Sequence, residues 1–496
     1  MSGTAKVVLQ GTGKGLARVW AVGAFRGKTP AITGLSKSIG VAVSSLHARK
    51  SWKGDEGQVA ETELADGILV QLHGLGDPEP FELRSLRKWL GKVAAAAVRG
   101  GGSKLGLALP DHAALRGEAA EAALISVACL GYAFDDYKSK PADGEKGIQS
   151  VQVAPPPGQR ASYQSALASA LTLAESMAYV RDLANTPPND ATPEWIASRA
   201  KELARAAGMK ATVLGPSELA ARGMGGILAV GSGSANTPRM VRLEVGKGPF
   251  TVALVGKGVT FDTGGISIKP ASGMEDMKYD KCGACTVLGV ARAVAALRLP
   301  LRLRVYMPLA ENMASGTAYR PGDIVRCYNG KTVDITNTDA EGRMILADAL
   351  AWAAEEKPDV MLDYATLTGA CVVALGNSAA GLFSPDDALA ETILKAAKTS
   401  GERLWRLPLW PEYLEDMKGI HGDLKNSGSR WGGASSAAAF LAQFTGDIRR
   451  WAHFDIAGPA YIGSDRGSGD KGATGYGVAL TVRVLRQLAS EHARQA

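Results

Sequence analysis

Thr251-Val-Ala-Leu-Val255 is an unbroken apolar run that stops at a glycine-rich, charged turn, Gly256-Lys-Gly-Val-Thr-Phe-Asp-Thr-Gly-Gly265. A strand without polar alternation must be buried on both faces, and that forces helices onto both sides of its sheet. The rest of the chain from Asp190 onward fits this demand. Strands are expected at Gly226–Val230, Met240–Val245, Leu303–Met307, Val360–Tyr364 and His453–Ile456, and helices at 193–206, 284–297, 344–356, 387–399, 435–444 and 478–492. Such alternation gives an α/β fold with a mixed central sheet flanked by helices, and function collects in loops at the carboxyl ends of its strands.

Upstream, residues 1–155 mix strand-like and helical runs and read as a smaller N-terminal α/β domain. Ala154-Pro-Pro-Pro-Gly158 interrupts regular structure, so 156–188 reads as a linker and connecting helix and 189–496 as the catalytic domain. Five cysteines in 496 residues form an odd, sparse set that suits a reducing compartment. No apolar run is long enough to span a bilayer, so the expectation is a cytoplasmic protein with no membrane partner. The first 54 residues hold nine Lys or Arg and no acid. An ordinary solvated face explains this best. A leader poor in acids would look similar, and the same segment is the sole feature suited to a nucleic-acid partner.

The chemistry concentrates in two segments about eighty residues apart. The first carries Lys257 and Asp262, followed by Lys269 and then Asp276-Met-Lys-Tyr-Asp280; the second is Asn337-Thr-Asp-Ala-Glu-Gly-Arg343. Carboxylates this close repel unless a cation lies between them. Asp262, Asp280, Asp339 and Glu341 together call for two divalent ions, with Lys257 able to join them only when neutral. Lys269 and Arg343 remain as cations for a developing oxyanion.

Other features read blandly. Cys282-Gly-Ala-Cys285 opens an apolar helix without a second pair or a nearby His, so packing outweighs a redox pair or zinc half-site. His453 and Asp348 read as core residues with local partners. Gly11-Thr-Gly-Lys-Gly15 lacks the spacing of a phosphate loop.

The blocks at 255–265 and 337–343, with Ala184-Asn-Thr-Pro-Pro-Asn-Asp190, Glu311-Asn-Met313, Ala365-Thr-Leu-Thr-Gly369 and Asp455-Ile-Ala-Gly-Pro-Ala460, closely resemble the leucyl aminopeptidase family of two-metal exopeptidases over residues 175–490. The resemblance implies release of N-terminal residues, leucine-like ones preferred, from peptide substrates. A looser zinc or manganese ion would be held by Lys257, Asp262, Asp280 and Glu341, and a tighter one by Asp262, Asp339 and Glu341. Lys269 would stabilise the oxyanion, Arg343 would hold a bicarbonate base, and Met277, Asn337, Thr366, Leu367 and Gly369 would line the substrate site. A homohexamer is implied as well. Three positions depart from the family pattern: Lys281 beside Asp280, expected to weaken the looser metal site; Cys285; and the Ala473 to Gly477 stretch, expected to alter the first side-chain pocket.

Overall fold

The computed structural model describes residues 3–10, 17–139, 147–463 and 471–495. The Gly11–Gly15 run lies outside them. The chain forms two compact units, the first essentially Met1–Ala178 and the second most of Tyr179 onward. The Arg160–Asn185 helix carries the chain from one to the other.

In the first unit a six-stranded sheet runs in the order Lys6–Leu9, Ser150–Ala154, Lys104–Ala108, Val19–Ala24, Leu69–Gly74, Val59–Glu63. All neighbours are parallel except the last pair. Trp20, Val22, Ile39, Val43, Leu46, Val70 and Leu72 make one core of this unit. Two stretches of the basic segment, Lys6–Leu9 and Val19–Ala24, are thus strands of the sheet, and its Arg26 pairs with Asp55 and Asp77 at 2.8 and 3.1 Å.

The second unit is built on a mixed sheet. Its order is Leu404–Arg406, Ala380–Phe383, Trp451–Asp455, Val360–Ala365, Thr251–Gly256, Arg302–Asn312, Arg239–Val245, Lys210–Leu214, with Gly258–Asp262 beside the far half of Arg302–Asn312. The four strands from Trp451–Asp455 to Arg302–Asn312 are parallel. Their carboxyl ends therefore share one edge. Alternation along Thr251–Gly256 sends Ala253 and Val255 into a core with Met344, Ile345, Phe440 and Trp451. The opposite face meets the Cys282–Leu297 helix, whose Gly283 and Val287 approach Gly256 so closely that a Cβ there would lie 2.5 Å from the Gly283 carbonyl. The both-faces burial expected of that strand is what the sheet has.

One expected strand is wrong. Gly225–Gly231 is a helix, because a five-residue apolar run carries no periodicity to separate strand from buried helix. The edge strands Lys210–Leu214, Ala380–Phe383 and Leu404–Arg406 were not expected; they are short and lie at or near the sheet margins.

Candidate metal centre

The Thr251–Gly256 strand ends at Lys257, whose backbone is pinned on both sides. Its N–H donates to the Tyr364 carbonyl at 2.9 Å, and its own carbonyl accepts the Ala284 N–H at 2.7 Å. The residue is 2% exposed. Its Nζ lies 2.8 Å from Asp280 Oδ1, Glu341 Oε1 and the Thr366 carbonyl. Asp262 ends the next strand. Gly264 then turns with φ +85°, which brings the loop so close to Asp339 that a Cβ would sit 2.9 Å from Oδ1. Only glycine takes that conformation without strain. Lys269 returns from this loop and places Nζ 2.8 Å from Asp262 Oδ2 and in contact with Asp339 Oδ1.

Asp280 arrives from the short Met274–Lys281 helix and Glu341 from the first turn of the Glu341–Glu355 helix, where the N-terminal dipole favours an acid. Asp262, Asp280 and Glu341 offer oxygens that all lie within 4.8 Å of one another, and all three are buried. Asp339 is more exposed, at 32% of its side chain, and joins the group through Lys269.

Two ammonium groups thus face four carboxylates, and the protonation balance reflects that shortfall. Burial pushes Asp262 up to about 6, with Glu341 adding to the rise. Burial also raises Asp280 well above the carboxylate range and raises Asp339. Glu341 is the exception: burial opposes its charge, but Lys257 and Lys269 outweigh it and lower the carboxyl. Burial likewise works against both lysines, yet the surrounding acids hold them protonated, above the ordinary lysine range. Asp280 Oδ2 is buried with no hydrogen-bond partner among the described residues. A buried carboxylate oxygen left open beside three other acids is a donor set suited to a hard divalent cation.

Arg343 lies one residue beyond Gly342, and among the described residues no carboxylate pairs with it. Its Nε is buried without a partner, and burial lowers its pKa to about 10. Of the substrate-lining candidates, Thr366 touches the cluster directly, donating from Oγ1 to Asp280 Oδ1 at 2.8 Å. Leu367 donates its N–H to Asp455. Asn337 accepts the Asp339 N–H at 2.9 Å and so shapes the acid-bearing turn. Met277 is half-buried in the Asp280 helix and Gly369 opens the Gly369–Leu375 helix, exposed.

Lys281 does not reach the acids. It is fully buried, and Nζ donates to the carbonyls of Thr186 and Lys278; burial lowers its pKa to about 8. The Cys282 and Cys285 side chains are buried, and burial pushes the first thiol well up and the second to about 12. Neither is a poised thiolate. Asp348 accepts the backbone N–H groups of Ile227 and Tyr328 at 2.9 and 2.8 Å. His453 is in the core but only half satisfied. Nδ1 is 2.6 Å from Asp363 Oδ1, which raises its pKa against the pull of burial, and Nε2 has no partner among the described residues. Asn312 and Thr338 lie in family-like segments without a role of their own being legible there, and Asp363 carried no signal, since a buried polar residue is recognised only by its partners.

The catalytic-domain model of the cytosol aminopeptidase family matches residues 178–482, and that family's N-terminal domain model matches residues 21–141. A probable cytosol aminopeptidase of Roseiflexus castenholzii is 44% identical over 428 residues, covering 84% of this chain and 86% of the relative. One from Pseudomonas syringae pv. syringae is 40% identical over 473 residues, 92% of this chain and 94% of its own. Among solved structures, a tomato leucine aminopeptidase mutant superposes with a TM-score of 0.84 at 30% identity, covering 98% of this chain and 97% of that one. The bottromycin maturation enzyme BotP in complex with Mn gives 0.81 at 37% identity, covering 96% and 100%.

Proposed function

Because the chain belongs to the cytosol aminopeptidase family and is a metallo-aminopeptidase, we propose that it removes N-terminal residues, leucine-like ones preferred, from peptides at the Asp262–Asp280–Asp339–Glu341 centre. The observation that carries this reading is the convergence of acids from two distant segments onto a buried point where two lysines alone cannot neutralise them.

Two divalent cations, zinc or manganese, held by Lys257, Asp262, Asp280 and Glu341 and by Asp262, Asp339 and Glu341, would supply an activated water and a polarised first peptide carbonyl. The residues of the chain do the rest. With the charge of the acids taken up by cations, Lys257 would lose the stabilisation that keeps it protonated, release its proton to solvent and offer a neutral amine as a ligand. The free α-amine would be received beside Asp280 and the looser cation, restricting the enzyme to chain ends. Lys269, held between Asp262 and Asp339, sets a fixed positive charge where the tetrahedral oxyanion develops. Arg343 keeps a largely buried guanidinium that no carboxylate of the described residues pairs with, which suits a bicarbonate anion acting as proton acceptor. Met277, Asn337, Thr366, Leu367 and Gly369 guide the first residue of the peptide. The enzyme acts as a cytoplasmic homohexamer.

The test compares leucine p-nitroanilide with its N-acetyl form, for wild type and Asp339→Ala. Turnover of the free-amine substrate alone, lost in the variant, is expected. Equal hydrolysis of both substrates would sink the exopeptidase reading.

A further inference from the structure

Asp262 and Asn312 face each other at the end of the parallel pair Gly258–Asp262 and Arg302–Asn312, beyond a register irregularity between Val259 and Asp262. Irregularities of this kind re-aim side chains next to functional sites. Asn312 is fully buried. Its Nδ2 donates to Asp262 Oδ1 at 2.8 Å and to the Thr338 carbonyl at 3.1 Å. Both partners are acceptors only, so the amide can face them in one orientation, nitrogen first. Its backbone carbonyl is held too, accepting the Thr263 N–H at 3.0 Å and the Thr263 hydroxyl at 2.9 Å. The amide oxygen has no partner among the described residues, and a Cβ at Gly265 would come within 2.8 Å of it.

The consequence falls on the carboxylate. Asp262 Oδ1 already accepts the Gly264 N–H at 2.9 Å, so with Asn312 it is occupied by two neutral donors. Oδ2 faces the cluster, 2.8 Å from Lys269. The same NH₂ grips the carbonyl just before Asp339, so one side chain ties both acid-bearing segments together. Leaving its own oxygen unpaired is a poor choice for stability and a good one for aim.

We propose that Asn312 is a positioning residue that dedicates Asp262 Oδ2 to the metal and locks the Asp339 turn to the same register. The proposal rests on the metal reading given above. Partners of metal ligands typically govern affinity by about 10–100-fold. The control is Tyr319, whose hydroxyl donates to the same Thr338 carbonyl at 2.8 Å. Tyr319→Phe loosens the Asp339 side of the clamp and leaves Asp262 alone.

The experiment measures Mn²⁺ dissociation constants of the full chain by chelator competition, alongside thermal midpoints, for wild type, Asp262→Ala, Asn312→Ala, Asn312→Ser and Tyr319→Phe. Asn312→Ser keeps a small polar group and serves if the alanine variant does not fold. Both Asn312 variants should weaken Mn²⁺ by about 10–100-fold, and Tyr319→Phe by about threefold or less at a comparable loss of midpoint. Wild-type binding with Asn312 variants within about twofold of it, or indistinguishable from Tyr319→Phe, overturns the inference alone. No Mn²⁺ binding by wild type overturns the metal reading and this inference with it.

Discussion

Gly342 stands between Glu341 and Arg343, and a Cβ there would lie 2.5 Å from Lys257 Cε, 2.6 Å from Nζ and 2.7 Å from Cδ. A lysine tip normally swings aside at little cost. This one is 2% exposed and holds Asp280, Glu341 and the Thr366 carbonyl at 2.8 Å each, so it cannot move without releasing them. Gly342→Ala therefore sets two effects against each other. The added methyl favours the helix by up to about 1 kcal/mol. Breaking into a buried ion pair costs about 3–5 kcal/mol. The second wins by about 2 kcal/mol or more, which lowers the thermal midpoint by about 4 °C or more. Activity should fall further, by about 100-fold, because a proposed ligand is displaced; two decades correspond to about 2.7 kcal/mol at the transition state. Calorimetry and leucine p-nitroanilide turnover on one preparation read both. A variant with a raised midpoint and wild-type turnover would show that Lys257 is not held where the geometry puts it.

Lys269→Met should cut kcat by about 10²–10³ with KM little changed, read by steady-state kinetics; an equal rise in KM alone would make Lys269 a binding residue. Asp348 is pushed up to about 7 by burial, against the pull of its backbone donors. The unfolded chain releases that proton near about 4, so the folded state binds more protons across about pH 4–7 and this group's contribution to stability falls as pH rises through that window. Asp348→Asn cannot titrate, so the midpoint difference from wild type should change across that window; parallel profiles would refute the shift. Of the five thiols, Cys282, Cys285, Cys327 and Cys371 are buried. A thiol reagent should therefore label at most Cys129 in native protein, and rapid labelling of the Cys282–Cys285 pair would revive the redox reading.

The parts of this molecule legible in its sequence are those whose pattern is local. Thr251–Gly256 announces a strand buried on both faces, and the sheet has helices on each side. The acids are visible because glycine-rich turns after strands display them in two short blocks. What was hidden depends on partners distant in sequence. Gly225–Gly231 offered apolarity without a period, and the helix it forms is held partly by Asp348, 121 residues from Ile227. Asn312 stands in a family-like segment, but the partners that give it a task lie 50 residues away at Asp262 and 26 at Thr338. Lys281 looked like a threat to the metal site from its place beside Asp280, but its ammonium is turned to the Thr186 carbonyl. Adjacent residues on a tight helix point different ways, and sequence neighbourhood does not reveal which way.

The most direct test adds manganese or zinc stepwise to chelator-stripped protein and reads bound metal and leucine p-nitroanilide turnover on the same sample. Turnover that rises with metal, saturates at two ions per chain and is absent in Asp262→Ala is the predicted result. Full turnover in the stripped protein, or undiminished turnover in Asp262→Ala, would contradict the account at its centre.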